Sequence, residues 1–233
     1  MKVAVAWSGG KDSALALHRI MGKHEVHALL TTITKPYSRV TMHGVRKELI
    51  KMQADSMGIP LEEIVIPPRC PDELYRRIMS KKMRDLIEKG VEAIVFGDIF
   101  LEDVRRFREE NLKEVGMNGM FPLWGEDTWK LSREFLQLGF KAIITCIDPR
   151  RLSPEDLGKQ YSLEFIENLP DNVDPCGENG EFHTFVYQAP YYKKGIEYRL
   201  GRKVQRDGFW WIDLIPEPTE NQSMMSKTRA ETR

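Results

Sequence analysis

The chain opens on KVAVAW, residues 2 to 7, an apolar run too short for a helix and bounded by Ser8-Gly9-Gly10. From residue 14 the spacing changes, because Ala14, Leu17, Ile20 and Met21 fall on one helical face. The order is strand, glycine turn, helix. The same unit is predicted again: a strand over 25–33, a helix over 45–57, a strand over 61–66, and a helix over 72–89 entered through Pro71. Further strands are expected at 92–96 and 141–147, each preceded by a helix that ends at a glycine, Gly90 and Gly139. Strands alternating with helices predict an α/β fold, a doubly wound parallel sheet covered on both faces.

After Asp148-Pro149 the rhythm breaks. Residues 171–181 are rich in turn formers, and FHTFVYQ, EYRLGRKVQ and FWWIDLI then read as strands, with Arg206-Asp207-Gly208 as a hairpin turn. The expectation is a first domain over 1–124 and a smaller, mixed α+β C-terminal part over 125–216, folded back on the mouth of the sheet. Residues 217–233 lack periodicity and are expected to form a disordered tail. The segment 101–116 carries acids and bases in near balance and reads as a solvated helix face.

Composition narrows the function classes. The 233 residues hold 35 Lys plus Arg and 35 Asp plus Glu, so the net charge is zero and no polyanionic partner is advertised. Stable nucleic-acid binding is not expected. With 41% hydrophobic residues, no apolar run of membrane-spanning length and no signal-peptide pattern at the N-terminus, the chain is expected to be globular, cytoplasmic and free of membrane contact. Cys70, Cys146 and Cys176 are too widely spaced for a disulfide framework or a CxxC metal site.

Two segments concentrate chemistry. The first is SGGKDS, residues 8 to 13, at the junction of the first strand and first helix, where backbone amides converge at the positive end of a helix and favour an anion. It is not a Walker A loop, which would need Gly at Val5 and Ser or Thr at Asp12. SGGKDS resembles the PP-loop of the adenine-nucleotide alpha hydrolases (the HUP-like group), enzymes that hold the pyrophosphate of ATP and release AMP. On that likeness Gly9 and Gly10 let the backbone approach phosphate, Ser8 and Ser13 offer hydroxyls, Lys11 neutralises the departing pyrophosphate, and Asp12 helps hold Mg²⁺. Ligands of such sheets lie beyond the strand ends, so Thr32, Gly97 and Asp98 are expected to face the same ATP.

The second segment is DPCGENGEFHT, residues 174 to 184, where Asp174, Cys176, Glu178, Glu181, His183 and Thr184 crowd a loop containing Gly177 and Gly180. Such a density of titratable groups in a loop suggests reaction chemistry. Cys176 has no matched second cysteine and reads as a packing or hydrogen-bonding residue.

SGGKDS, TMHG at 41–44, GD at 97–98, PLWGED at 122–127 and GENGEFHT at 177–184 together resemble the diphthine-ammonia ligase family, in the short single-module form found in archaea. The resemblance implies ATP-dependent amidation of the diphthine carboxylate on translation elongation factor 2. An acyl-adenylate would be captured by ammonium, giving AMP and pyrophosphate. It makes 1–124 an ATP-binding domain and 125–216 a substrate-binding part. Lys11, Asp12, Glu178, Glu181 and His183 become the catalytic candidates, with one glutamate serving the metal or nucleotide and the other the ammonia step. His43, Trp124, Glu126, Asp174, Cys176, Gly177, Gly180 and Thr184 are substrate-side candidates. His43 sits in a polar stretch, 34–44, that reads as a mobile flap. Diphthine bears a trimethylammonium group, for which Trp124, Trp129 and Tyr187 are candidate aromatic faces.

Two other readings compete. A PP-loop transfer-RNA modifying enzyme would be expected to show paired cysteines and a basic surface, although Arg76, Arg77, Lys81, Lys82 and Arg84 do share one predicted helix. A nucleotide sensor would hold ATP without turnover, for which Lys11, Asp12 and the acidic loop have no use. An asparagine-synthetase-like amidotransferase is not expected, since a first strand starting at Lys2 is expected to leave no room for a glutaminase domain. An oligomer is compatible with the sequence.

Overall fold

The computed structural model describes residues 1–41 and 43–217, so the tail expected over 217–233 lies, from 218 onward, outside the described residues. In chain order the elements are β1 (Lys2–Ala6), α1 (Lys11–Ile20), β2 (Glu25–Thr34), β3 (Arg39–Val40), α2 (Lys47–Met57), β4 (Leu61–Ile66), α3 (Asp72–Glu88), β5 (Ala93–Val95), α4 (Glu102–Lys113) and β6 (Asn118–Met120). Then follow α5 (Thr128–Gln137), β7 (Lys141–Ile147), α6 (Leu163–Glu167), β8 (Phe182–Gln188), β9 (Tyr198–Arg206) and β10 (Phe209–Pro216).

The first sheet is parallel apart from β3, with β1 between β2 and β5, β4 outside β2, and β6 outside β5. The chain winds outward from β1 in one direction through β2 and β4, then in the other through β5 and β6. Its switch point lies between β1 and β5. Strand alternation splits the core as a doubly wound sheet requires: Val3, Val5, Leu29 and Val95 join one buried cluster, while Ala4, Leu30 and Ile94 join the other. Ala14, Leu17, Leu49 and Ile50 of α1 and α2 cover the first face; Met83, Leu86 and Leu112 of α3 and α4 cover the second.

The sequence placed 141–147 in the parallel sheet, and the structure corrects this. β7 lies inside a second, four-stranded sheet of order β8-β7-β10-β9, in which all pairs are antiparallel. KAIITCI is buried on both faces in either setting, so its apolar run does not specify the direction of its neighbours. The hairpin between β9 and β10 is turned by Asp207 and Gly208, both at positive φ (52° and 85°), as the sequence indicated. Two short strands, β3 and β6, were not legible as strands. The large cluster that covers the α1 side of the first sheet runs on through Phe135, Ile144, Phe185 and Leu214, so the two sheets share one core.

Candidate active site

The SGGKDS turn stands at the switch point, with Gly10 as N-cap of α1. Gly9 is at φ +80°, and a Cβ there would collide with Ile50 and Gln53 of α2. Gly97, beyond β5, is equally constrained: a Cβ would lie 2.7 Å from the Asp12 carbonyl carbon and 2.9 Å from Ser13 N. The missing side chain lets the end of β5 press on the first turn of α1. Ser8 Oγ accepts from Gly10 N at 3.2 Å and lies 3.2 Å from Ser13 Oγ.

The second motif closes on this turn. Lys11 N donates to Thr184 Oγ1 (3.1 Å), and Val186 N donates to the Gly9 carbonyl (2.9 Å), so β8 runs along the glycine loop. Gln53 binds both: its Nε2 donates to the carbonyls of Gly9 (3.1 Å) and Val186 (2.7 Å), while its Oε1 accepts from the Trp7 indole (2.8 Å). Hydroxyl oxygens of Ser8 and Thr184 therefore occupy two amides of the turn, those of Gly10 and Lys11. The Lys11 ammonium, 4% exposed, donates to both Asp12 oxygens (2.6 and 2.8 Å) and to the Cys176 carbonyl. Burial opposes its charge, but Asp12 and the neighbouring groups outweigh this and hold Lys11 above the usual lysine range. Lys11 is thus a buried cation that ties the first motif to the second.

The acidic loop is an ordered turn. Asp174 Oδ2 accepts from the amides of Cys176 and Glu178 (3.0 Å each). Glu181 Oε1 accepts from Asp174 N and Asn179 Nδ2 (3.0 Å each), and its Oε2 is buried without a partner among the described residues. Gly177 and Gly180 make the bends at φ 66° and 83°. Asp174 and Glu181 therefore hold the turn together, whereas Glu178 reaches across to the first sheet and accepts from Ile99 N (2.7 Å) just beyond β5. Burial, then the charge of Asp12, pushes the Glu178 carboxyl up to about 7 in spite of that hydrogen bond. Burial also pushes the Cys176 thiol up to about 12, and its sulfur sits 3.4 Å from Ser132 Oγ, beside the Tyr161 hydroxyl that donates to the Pro175 carbonyl (2.7 Å) and lies 2.8 Å from Ser132 Oγ. This suits the packing role read for Cys176.

His183 and His43 pack against each other with centroids 4.4 Å apart and their planes tilted by 46°. Burial and then the Lys11 charge lower His183 to about 4; burial, His183 and Lys11 lower His43 well below the usual histidine range, so both are neutral at pH 7. The stretch 34–44 is tied down along much of its length. β3 pairs with the far end of β2, on the edge that β1 vacates, and Thr41 N donates to the Thr32 carbonyl (2.9 Å). Asp213 of β10 then accepts from Arg39 (2.8 Å) and from Arg46 twice (3.0 and 2.7 Å), on either side of His43. Met42 of the TMHG motif lies outside the described residues.

Other candidates are dispersed. Glu126 belongs to an ion network with Arg19 (3.2 Å), which also holds Glu134 (2.6 Å). Asp98 pairs with Arg108 of α4 (2.6 Å), whose guanidinium lies 4.5 Å from the Phe96 ring. Arg105, from the same helix, lies over the rings of Phe121 (4.8 Å) and Trp124 (4.6 Å). The helix read as a solvated face thus turns two arginines onto the ends of β5 and β6. Trp129 is exposed near Arg133, and Tyr187 packs on Tyr198, so the three aromatic candidates do not form one cage. Gln53, Trp7, Tyr161 and Asp213 were not singled out from sequence; a glutamine inside an apolar helix face, at Leu49, Ile50 and Ala54, was the available signal for Gln53.

For Mg²⁺ the donor set is sparse: no group of three or more His, Cys, Asp or Glu stands together among the described residues. Mg²⁺ bound with nucleotide commonly takes one or two carboxylates, phosphate oxygens and water. Asp12, with its side chain one-third exposed at 33%, fits that pattern as a single carboxylate. A groove of about 680 Å³ bordered by Arg151, Lys159, Phe165 and Leu169 contains none of these side chains.

Residues 1–119 match the diphthamide synthase N-terminal domain family and residues 127–215 the diphthamide synthase C-terminal domain family. Diphthine–ammonia ligases of Rattus norvegicus and Homo sapiens are each 29% identical over 222 residues, covering 84% of this chain and 82% of theirs. That of Schizosaccharomyces pombe is 30% identical over 217 residues, covering 84% of this chain and 36% of its own. A solved structure titled as a predicted subunit of tRNA methyltransferase from Methanocaldococcus jannaschii is 17% identical over 61% of this chain and 80% of its own, with a TM-score of 0.40. With both parts of the chain matched in order by one family's two domains, the chain belongs to the diphthamide synthase family.

Proposed function

We propose that this chain is an ATP-dependent ligase that converts the carboxylate of diphthine on translation elongation factor 2 to its amide with ammonium, releasing AMP and pyrophosphate. The observation that carries the reading is the junction of the two motifs: Thr184 on the amide of Lys11, and Glu178, at about 7, reaching from the acidic loop to the end of β5. Residues 1–124 would carry the nucleotide and 125–216 the modified histidine.

The substrate carboxylate attacks the alpha phosphorus, pyrophosphate leaves, and the mixed anhydride gives the acyl carbon a good leaving group. Ser8 to Ser13, with Thr32, Gly97 and Asp98, line the nucleotide side, and Lys11 stiffens the turn from beneath. Asp12 would hold Mg²⁺, which when bound supplies charge neutralisation to the phosphates. Ammonium at neutral pH must lose a proton before it attacks, and a carboxylate near 7 is matched to accept one. The ammonia then displaces AMP. Neutral His183 and His43 wall the site without adding a competing positive charge.

The test is to incubate the protein with ATP, Mg²⁺, ammonium and diphthine-bearing elongation factor. Conversion of acid to amide by mass, with AMP and pyrophosphate in equal amounts, is expected. ADP and phosphate as the nucleotide products, or no mass change, would overturn the reading.

A further inference from the structure

Phe96 and Phe121 follow β5 and β6, at the sheet edge where ligands of this fold lie, and stack with centroids 5.3 Å apart. Trp124 meets Phe121 edge-on, at 6.2 Å and 71°, and the two rings make a corner. Into this corner the Arg105 guanidinium projects, 4.8 Å from one centroid and 4.6 Å from the other. A cation within about 6 Å of two aromatic faces is held by both ring quadrupoles. The other ionic contact of Arg105 is an exposed i,i+4 pair with Glu109 (2.8 Å), a class of interaction worth little, so the side chain is free to withdraw into water.

The corner adjoins the reacting groups. Gly125 N, next to Trp124, donates to the Ile99 carbonyl (2.8 Å), and the Ile99 amide is held by Glu178 (2.7 Å). Only one residue, Ile99, separates the backbone of the corner from the carboxylate assigned to the ammonia step.

We infer that the Phe121–Trp124 corner is a subsite for the quaternary ammonium group of the substrate, and that Arg105 is an internal cation which this group displaces. The inference rests on the ligase reading for the identity of the natural ligand, while the site itself is defined by the rings and the guanidinium. A quaternary ammonium, which cannot donate hydrogen bonds, gives up less hydration than a guanidinium gives up hydrogen bonds, and so exchange on the aromatic faces favours it. Arg105 then keeps the corner filled until substrate arrives.

Tetramethylammonium chloride is the probe, titrated into the full chain with sodium chloride at equal ionic strength as control. The readout is the indole N–H resonance of Trp124, assigned by its loss in Trp124→Phe. The resonance is expected to shift saturably with tetramethylammonium and not with sodium. In Arg105→Gln, which keeps a polar side chain at this partly buried helix position, the midpoint should fall by about fivefold or more, the scale of one released cation–aromatic contact. An unchanged or raised midpoint in Arg105→Gln, or no shift in the wild-type chain, overturns the inference. Because neither ATP nor elongation factor is present, failure here with amide formation intact removes only the subsite. Binding with no amide formation removes the ligase reading and leaves an organic-cation site.

Discussion

Glu178 and Glu181 are three residues apart in one motif, and as letters they are interchangeable. Their environments separate them: Glu181 accepts from amides of its own turn, while Glu178 crosses to the end of β5, where burial and then the Asp12 charge push it up to about 7. Glu178→Gln is therefore expected to slow amide formation by roughly 10²-fold or more, the scale of general-base catalysis. It should spare hydroxamate formation when hydroxylamine, already neutral, replaces ammonium. In the wild-type chain kcat/KM for ammonium should rise through about pH 7 as the carboxylate forms, and that inflection should vanish in Glu178→Gln; equal loss of amide and hydroxamate would show that Glu178 serves adenylation instead. His183 gives a second residue-scale expectation. Its folded value, about 4, lies below the unfolded value of about 6.5, so between these the unfolded chain binds more protons and stability falls as pH falls. Urea unfolding at pH 7 and pH 4.5 should show a smaller loss for His183→Gln than for the wild-type chain. The sequence marked both residues as chemical, but could not show which carboxylate was buried beside another charge.

At the scale of elements, the βα units of residues 2 to 96 were legible because each strand is a short apolar run and each helix has a 3.6-residue apolar face with clear ends. β7 was legible as a strand but not as a member of the antiparallel sheet, since burial on both faces erases the alternation that distinguishes the two. β6, three residues NGM, carries no periodicity, and its place is set by pairing with β5. The contact between the glycine turn and β8 was invisible for a different reason: Gln53, which joins them, lies 44 residues from Gly9 and 133 from Val186. Gln53→Leu would keep the volume, leave the Trp7 indole N–H without its acceptor, and remove one donor each from the carbonyls of Gly9 and Val186, the first of which still accepts from Val186 N. Allowing for partial rescue by the remaining backbone bonds, a loss of about 3 kcal/mol in urea unfolding is expected, with a raised KM for ATP because the turn is no longer fixed. A loss under about 0.5 kcal/mol would mean that β8 and the turn hold each other without the glutamine.

Across the whole molecule the candidate site is a seam, where the second sheet meets the first. One side of the seam is the buried Lys11–Cys176 and Thr184 contact; the other is the 34–44 stretch clamped to β10. At that clamp Gly44, at φ +67°, lies so close to the Trp211 indole that a Cβ would stand 2.5 Å from one ring carbon and 2.7 Å from the next. The rigid ring cannot yield by rotating a chain end, so Gly44→Ala must push the 34–44 stretch and β10 apart as well as strain the backbone. Asp213→Asn acts at the same boundary without adding bulk, since it removes the charge that Arg39 and Arg46 share. These guanidinium contacts are partly exposed, with side-chain exposures of 26% and 37%, so Asp213→Asn should cost only about 1 kcal/mol, whereas Gly44→Ala should cost more, about 2 kcal/mol or above. Both changes are distant in sequence from either motif. If the seam makes the site, both should raise the KM for the protein substrate, and Gly44→Ala should also loosen the His43–His183 contact, read as a His183 resonance whose pKa climbs from about 4 toward the usual histidine value. A Gly44→Ala variant that is destabilised yet keeps the wild-type KM and His183 titration would show that the clamp supports the fold alone, and that the 34–44 stretch does not help to close the site.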